Sequence, residues 1–69
     1  MKAREVNQRI ESLGGYVVRQ RGSHRLYRAD ITDSTCQTTV PQHTGDIPIG
    51  TPRSIERDLE PAFGKGWLR

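Results

Sequence analysis

Apolar residues near the start of the chain fall at helical spacing. Val6, Ile10 and Leu13 recur at i, i+4 and i+7 between charged neighbours, which predicts an amphipathic helix with that stripe turned inward. Gly14-Gly15 supplies its stop. The period then changes. "YVVRQR" and "HRLYRA" are rich in β-branched and aromatic residues, and the "GS" between them is a hairpin signal, so two antiparallel strands are expected. A polar turn over residues 30–35, "DITDST", leads to "CQTTV", a third strand ending at Pro41. "PQHTGDIPIG" holds two prolines and two glycines and predicts an irregular connection. After it, Thr51 reads as an N-cap, Pro52 as the first helical residue, Ile55 and Leu59 as an inward stripe, and Pro61 as the helix end.

The predicted order is α-β-β-β-α. It defines an α+β fold: a three-stranded antiparallel sheet packed on two helices that cover one of its faces. At 69 residues the chain reads as a single domain, 1–69, with residues 61–69 a possible tail. In that tail Phe63, Trp67 and Leu68 either seal the core or await a partner. The core must be thin, since a chain this short buries only roughly 60% of the surface its unfolded form exposes. Hydrophobic residues make up 32% and the mean hydropathy is −0.77, values that point to marginal stability or to a partner.

Charge narrows the partner class. The formal net charge is +3 and the pI is about 9.6. The excess rests mainly on arginine, whose planar fork suits phosphate. Nucleic acid is therefore the leading partner, with plain solubility as the competing explanation. The single cysteine, Cys36, has no partner for an internal disulfide, and no Cys/His set has zinc-ligand spacing. A reducing, cytoplasmic setting fits. No secretory signal or membrane-spanning run is visible.

Several fragments, taken in order, resemble the HicA family of bacterial toxins, the mRNA interferases of HicA-HicB toxin-antitoxin pairs. They are the leading amphipathic helix, "GGYVVRQRGSHRLY", "TTVPQHTGDIPIGT" and "RSI", together covering Lys2 to about Leu59. Gly-Ser-His alone is a weak signal; its combination with a Val-Pro-x-His strand end and a Gly-Thr helix start is far more specific. The resemblance implies a fold similar to a double-stranded-RNA-binding domain, an endoribonuclease activity that needs the hairpin histidine, here His24, and a HicB-type antitoxin as partner. The Thr/Asp-rich turn before the third strand and the Gly-Trp tail depart from the family pattern.

The residues themselves are suited to that chemistry. Metal-free RNA cleavage must deprotonate a ribose 2′-hydroxyl, protonate the leaving 5′-oxygen and stabilise added negative charge on phosphorus. Histidine, with an unperturbed pKa of about 6.5, can take or give a proton near neutrality. His24 follows a glycine turn at the start of the second strand, open to a large substrate. Ser23 is a candidate to orient the imidazole or bind phosphate, and is equally an ordinary turn residue. A hairpin centred on residues 30–35 sets His24 opposite Pro41 and Gln42. His43 is thereby a possible second proton donor, with a loop or antitoxin-facing role as the alternative.

The arginines of "RQRGSHRLYR" divide by strand alternation. Arg19 and Arg21 share one face; His24 and Arg28 share a face, and Arg25 takes the opposite one. Arg21, nearest the turn, is the best candidate to stabilise charge at phosphorus. Arg19, Arg25, Arg28, Arg53 and Arg57 are candidate RNA contacts, the last two one helical turn apart on the second helix beside Asp58 and Glu60. Tyr27 suits the core better than base stacking. The acids form no pattern for magnesium, so neither metal nor cofactor is expected. Two readings compete: a toxin that cleaves mRNA under antitoxin restraint, and a non-catalytic RNA-binding module of the same fold. A protein-only adaptor is a third.

Overall fold

The computed structural model describes residues 1–69, in the order α1 (Ala3–Ser12), β1 (Tyr16–Arg21), β2 (His24–Ile31), β3 (Ser34–Pro41) and α2 (Thr51–Phe63). The strands form one antiparallel sheet in the order β1-β2-β3. This is the expected α-β-β-β-α arrangement.

α1 begins where the Glu5 carboxylate accepts the Lys2 backbone N–H at 2.9 Å, satisfying a donor the helix leaves unpaired. Ala3, Val6 and Ile10 are buried. Leu13 departs from the expected stripe: it is the C-cap residue and is exposed, because the helix ends before its side chain reaches the sheet. Gly14, at φ 102, supplies the left-handed residue that reverses the chain. Gly15 answers a different need. A Cβ there would collide with Ile10 Cγ2 and lie 3.3 Å from Phe63 Cζ, so only glycine lets the strand begin this close to the helix.

The β1-β2 turn is the two residues Gly22-Ser23, with Gly22 at φ 55. The β2-β3 turn is tighter than residues 30–35: the ladder continues through Asp30↔Thr35 to Ile31↔Ser34. Only Thr32 and Asp33 turn, and Asp33 takes φ 63, a conformation aspartate tolerates through local hydrogen bonding. The hairpin centre is unchanged, so His24 pairs with Pro41 as expected.

α2 differs from its predicted ends. Gly50, at φ 97, is the N-cap, which moves Thr51 inside the helix. Pro61 does not close it: the helix runs on to Phe63. Proline there gives up one hydrogen bond at an exposed position of the last turn, while the Gly64 N–H still reaches the Glu60 carbonyl at 2.8 Å.

The core lies between the helices and one sheet face, with Val6, Ile10, Tyr27, Val40, Ile55 and Leu59 its most buried large side chains. Trp67 and Leu68 join it. The Trp67 indole N–H donates to the Glu56 carbonyl at 2.7 Å, and the buried Glu56 carboxylate accepts the Leu68 N–H at 3.3 Å and lies 3.4 Å from Arg69. Arg9 of α1 closes the other side by donating to the Trp67 carbonyl at 2.9 Å. The 41–50 connection is irregular as expected, yet Ile47 within it is also a core residue. Its N–H bonds the Met1 carbonyl at 2.8 Å. No helix is long and apolar enough to cross a membrane.

Candidate active site on the open face of the sheet

The helices leave one sheet face bare. Alternation along β2 assigns Tyr27 and Ala29 to the covered face and His24, Leu26, Arg28 and Asp30 to the open one. Directly paired residues share a face. From β3 the open face therefore receives Pro41, Thr39, Gln37 and Thr35, and from β1 Arg21 (opposite His24), Arg19 (opposite Leu26) and Tyr16 (opposite Arg28). The spacing on β1 requires a bulge. Register shifts between Val17 and Arg19, and this extra residue brings Tyr16 to the arginine face, where strict alternation would have turned it away.

His24 is exposed and stands beside Arg21. With Arg19, Leu26 and Thr39 these two side chains line a hollow of about 170 Å³. It combines a histidine with two guanidinium groups and one apolar wall. The single acid on the open face, Asp30, sits four strand positions beyond Leu26 and is engaged by the Tyr16 hydroxyl at 2.7 Å. The neighbourhood of His24 is thus positive, suited to an anionic ligand carrying a transferable proton.

The other candidates are distributed around the molecule. Ser23 is half-buried in the turn, and its carbonyl accepts the Gln42 N–H, so its backbone ties the two hairpins together. His43 lies past the end of β3 and lines a second hollow of about 300 Å³ with Lys2, Ala3, Arg4 and Thr44. Arg28 is on the open face, its Nη2 donating to Gln37 Oε1 at 3.2 Å. Arg25 lies on the opposite face, donating to Gln20 at 2.8 Å and reaching the Tyr27 hydroxyl at 3.4 Å. The Tyr27 hydroxyl in turn donates to Glu11 of α1. Arg53 and Arg57 line a hollow with Glu56, Glu60 and Arg69 on α2, a patch of mixed charge on the helical side. Leu26 and Thr39 escape a reading that looks only for chemistry-bearing side chains, although period-two alternation and the hairpin centre place both beside His24.

Burial is the main cause that raises the Tyr27 phenol above its ordinary value, helped by the bond to Glu11. Tyr16 is raised chiefly by its hydrogen bond to Asp30. Cys36, half-buried against the core, is pushed up by burial, which makes it a poor nucleophile. No three His, Cys, Asp or Glu side chains converge as a metal site would require.

A small α+β domain with one bare, basic sheet face and a histidine in its hollow is the class of protein these observations define. Residues 3–60 match the family model described as HicA toxin of bacterial toxin-antitoxin. The chain belongs to the HicA toxin family, and is the toxin component of such a pair. No curated protein and no solved structure matches it.

Proposed function

We propose that this toxin is an endoribonuclease that cleaves mRNA at the open sheet face, with His24 as its catalytic residue. The observation that carries this reading is the hollow in which His24, Arg19 and Arg21 converge. In the proposed reaction the ribose 2′-oxygen attacks phosphorus and loses its proton while the bond to the 5′-oxygen breaks and that oxygen gains one. The products are a 2′,3′-cyclic phosphate and a free 5′-hydroxyl. His24 performs one of the two proton transfers. Arg21, paired with it across the strands, and Arg19 stabilise the charge that builds on the phosphoryl oxygens. As proposed, the reaction uses no resident metal.

Such an activity harms the cell that makes it, and a HicB-type antitoxin covering the open face would silence it. The arginines favour an acidic partner surface, with association that weakens as salt rises. A cytoplasmic site of action follows from the substrate.

The test is incubation of the purified protein, with EDTA, with a labelled single-stranded RNA and with a copy bearing one 2′-deoxy substitution at the cut site. Cutting by the wild type that disappears with the deoxy RNA and with His24→Ala is the expected result. RNA binding without any cutting by the folded wild type would overturn it in favour of a binding module.

A further inference from the structure

The open face extends beyond the His24 hollow, and its far end has a different chemistry. Tyr16, Arg28 and Gln37 lie side by side across the three strands. Tyr16 keeps 41% of its surface exposed. It is held in place: its hydroxyl donates to Asp30 at 2.7 Å. Arg28 is held as well, by Gln37 Oε1 at 3.2 Å, and its Nε is buried without a hydrogen-bond partner. The Gln37 amide nitrogen and Arg28 Nη1 are left free to donate. A fixed exposed ring beside a set of unsatisfied donors is what an unpaired base requires: a surface to stack on and an edge to bond.

We infer that Tyr16, Arg28 and Gln37 form a base-reading subsite for one unpaired guanine of the RNA, an inference that rests on the open face being the RNA-cleaving surface. Guanine fits because it presents two adjacent acceptors, O6 and N7, to a guanidinium or amide donor pair, whereas adenine and cytosine place a donor on the corresponding edge. Arg28 lies four residues from His24 on β2, about 13 Å at roughly 3.3 Å per residue. The guanine is therefore read a few nucleotides from the cut, on the same strand. The β1 bulge is what makes the subsite, since it turns Tyr16 to this face. Selectivity and cleavage reside on different side chains of one surface.

Two measurements test it. The first maps cut sites in a randomised single-stranded RNA by sequencing the products of the wild type, Tyr16→Ala and Gln37→Ala. Guanine enriched at one fixed position within a few nucleotides of the cut, and reduced about tenfold in both variants while cutting persists, is expected. Absence of any preference in the wild type, or a preference unchanged in both variants, overturns the subsite. The second measurement does not depend on cutting. Binding of the His24→Ala protein to oligouridylate with one central guanine is compared with binding to oligouridylate alone and to a copy with one central adenine. Several-fold tighter binding of the guanine oligomer, abolished by adding Tyr16→Ala and kept with Tyr16→Phe, supports the subsite even if the wild type cuts nothing. Equal affinities for the three oligomers overturn it even if the wild type cuts well.

Discussion

His24 stands directly across the β2-β3 ladder from Pro41, yet the chain's two histidines line different hollows. Two residues beyond Pro41 the chain has left the sheet, and His43 lines another hollow beside Lys2 and Arg4. The expected kinetic consequence is asymmetric. His24→Ala lowers the single-turnover cleavage rate by about 10²–10⁴-fold, the range for loss of a proton-transferring side chain, while His43→Ala changes it less than about twofold. A comparable loss in both variants would show that the two rings act together.

The two faces of the sheet predict opposite outcomes for Arg21 at the end of β1 and Arg25 at the start of β2. Arg21→Ala should weaken RNA binding and make its salt dependence less steep, by about 0.7 in the log-log slope for each phosphate of a single strand that is no longer neutralised. Arg25→Ala should leave that slope unchanged, because Arg25 faces Gln20 and Tyr27 on the other side. Binding titrations at several salt concentrations measure both.

Stability should depend on the C-terminal segment. Trp67 is 5% exposed, donates to the Glu56 carbonyl and packs edge-on against Phe63 with ring centres 5.2 Å apart. Trp67→Ala is expected to lower the unfolding free energy by about 3–5 kcal/mol, a large share of what a domain of this size holds. Gly15→Ala, forced against Ile10 and Phe63, should remove about 1–3 kcal/mol. Urea denaturation followed by circular dichroism reads both, with tryptophan fluorescence as a second probe for Gly15→Ala. Neither residue touches the His24 hollow, so RNA affinity of the folded fraction should be retained.

Tyr16 and Tyr27 both titrate higher in the folded protein than the ordinary value of 10.0. A raised folded-state value means that the folded protein holds these protons more tightly. Their contribution to stability is therefore complete below pH 10 and declines as pH rises through the folded values. Ultraviolet titration of tyrosinate should show Asp30→Ala returning Tyr16 toward 10, because the hydrogen bond is the main cause. Glu11→Gln should lower Tyr27 only in part, because burial is the larger cause there.

Strand periodicity makes much of the site legible in the sequence. His24 opposite Pro41, Arg19 and Arg21 on one face and Arg25 on the other all follow from period two and one hairpin centre. The features that are not legible depend on neighbours distant in sequence. Ile47 sits in a segment without periodicity, and only its pairing with the start of the chain makes it a core residue. Pro61 stays helical because its one missing bond falls at an exposed position near the helix end, something local preference does not reveal. The bulge between Val17 and Arg19 inserts one residue without any glycine to mark it, so the face of Tyr16 cannot be read from its place in the strand. Leu13 fails as a core residue for a related reason: its spacing fits the stripe, but the helix ends at its position.

Alternation along β2 also bears on how such a protein can change over generations. His24, Leu26 and Arg28 look away from the core while Tyr27 and Ala29 support it, so single-nucleotide changes in adjacent codons fall under unrelated constraints. Substitution on the bare side can alter whatever that face binds while the folded scaffold persists. A lineage can therefore vary that surface without first acquiring compensating changes in the interior.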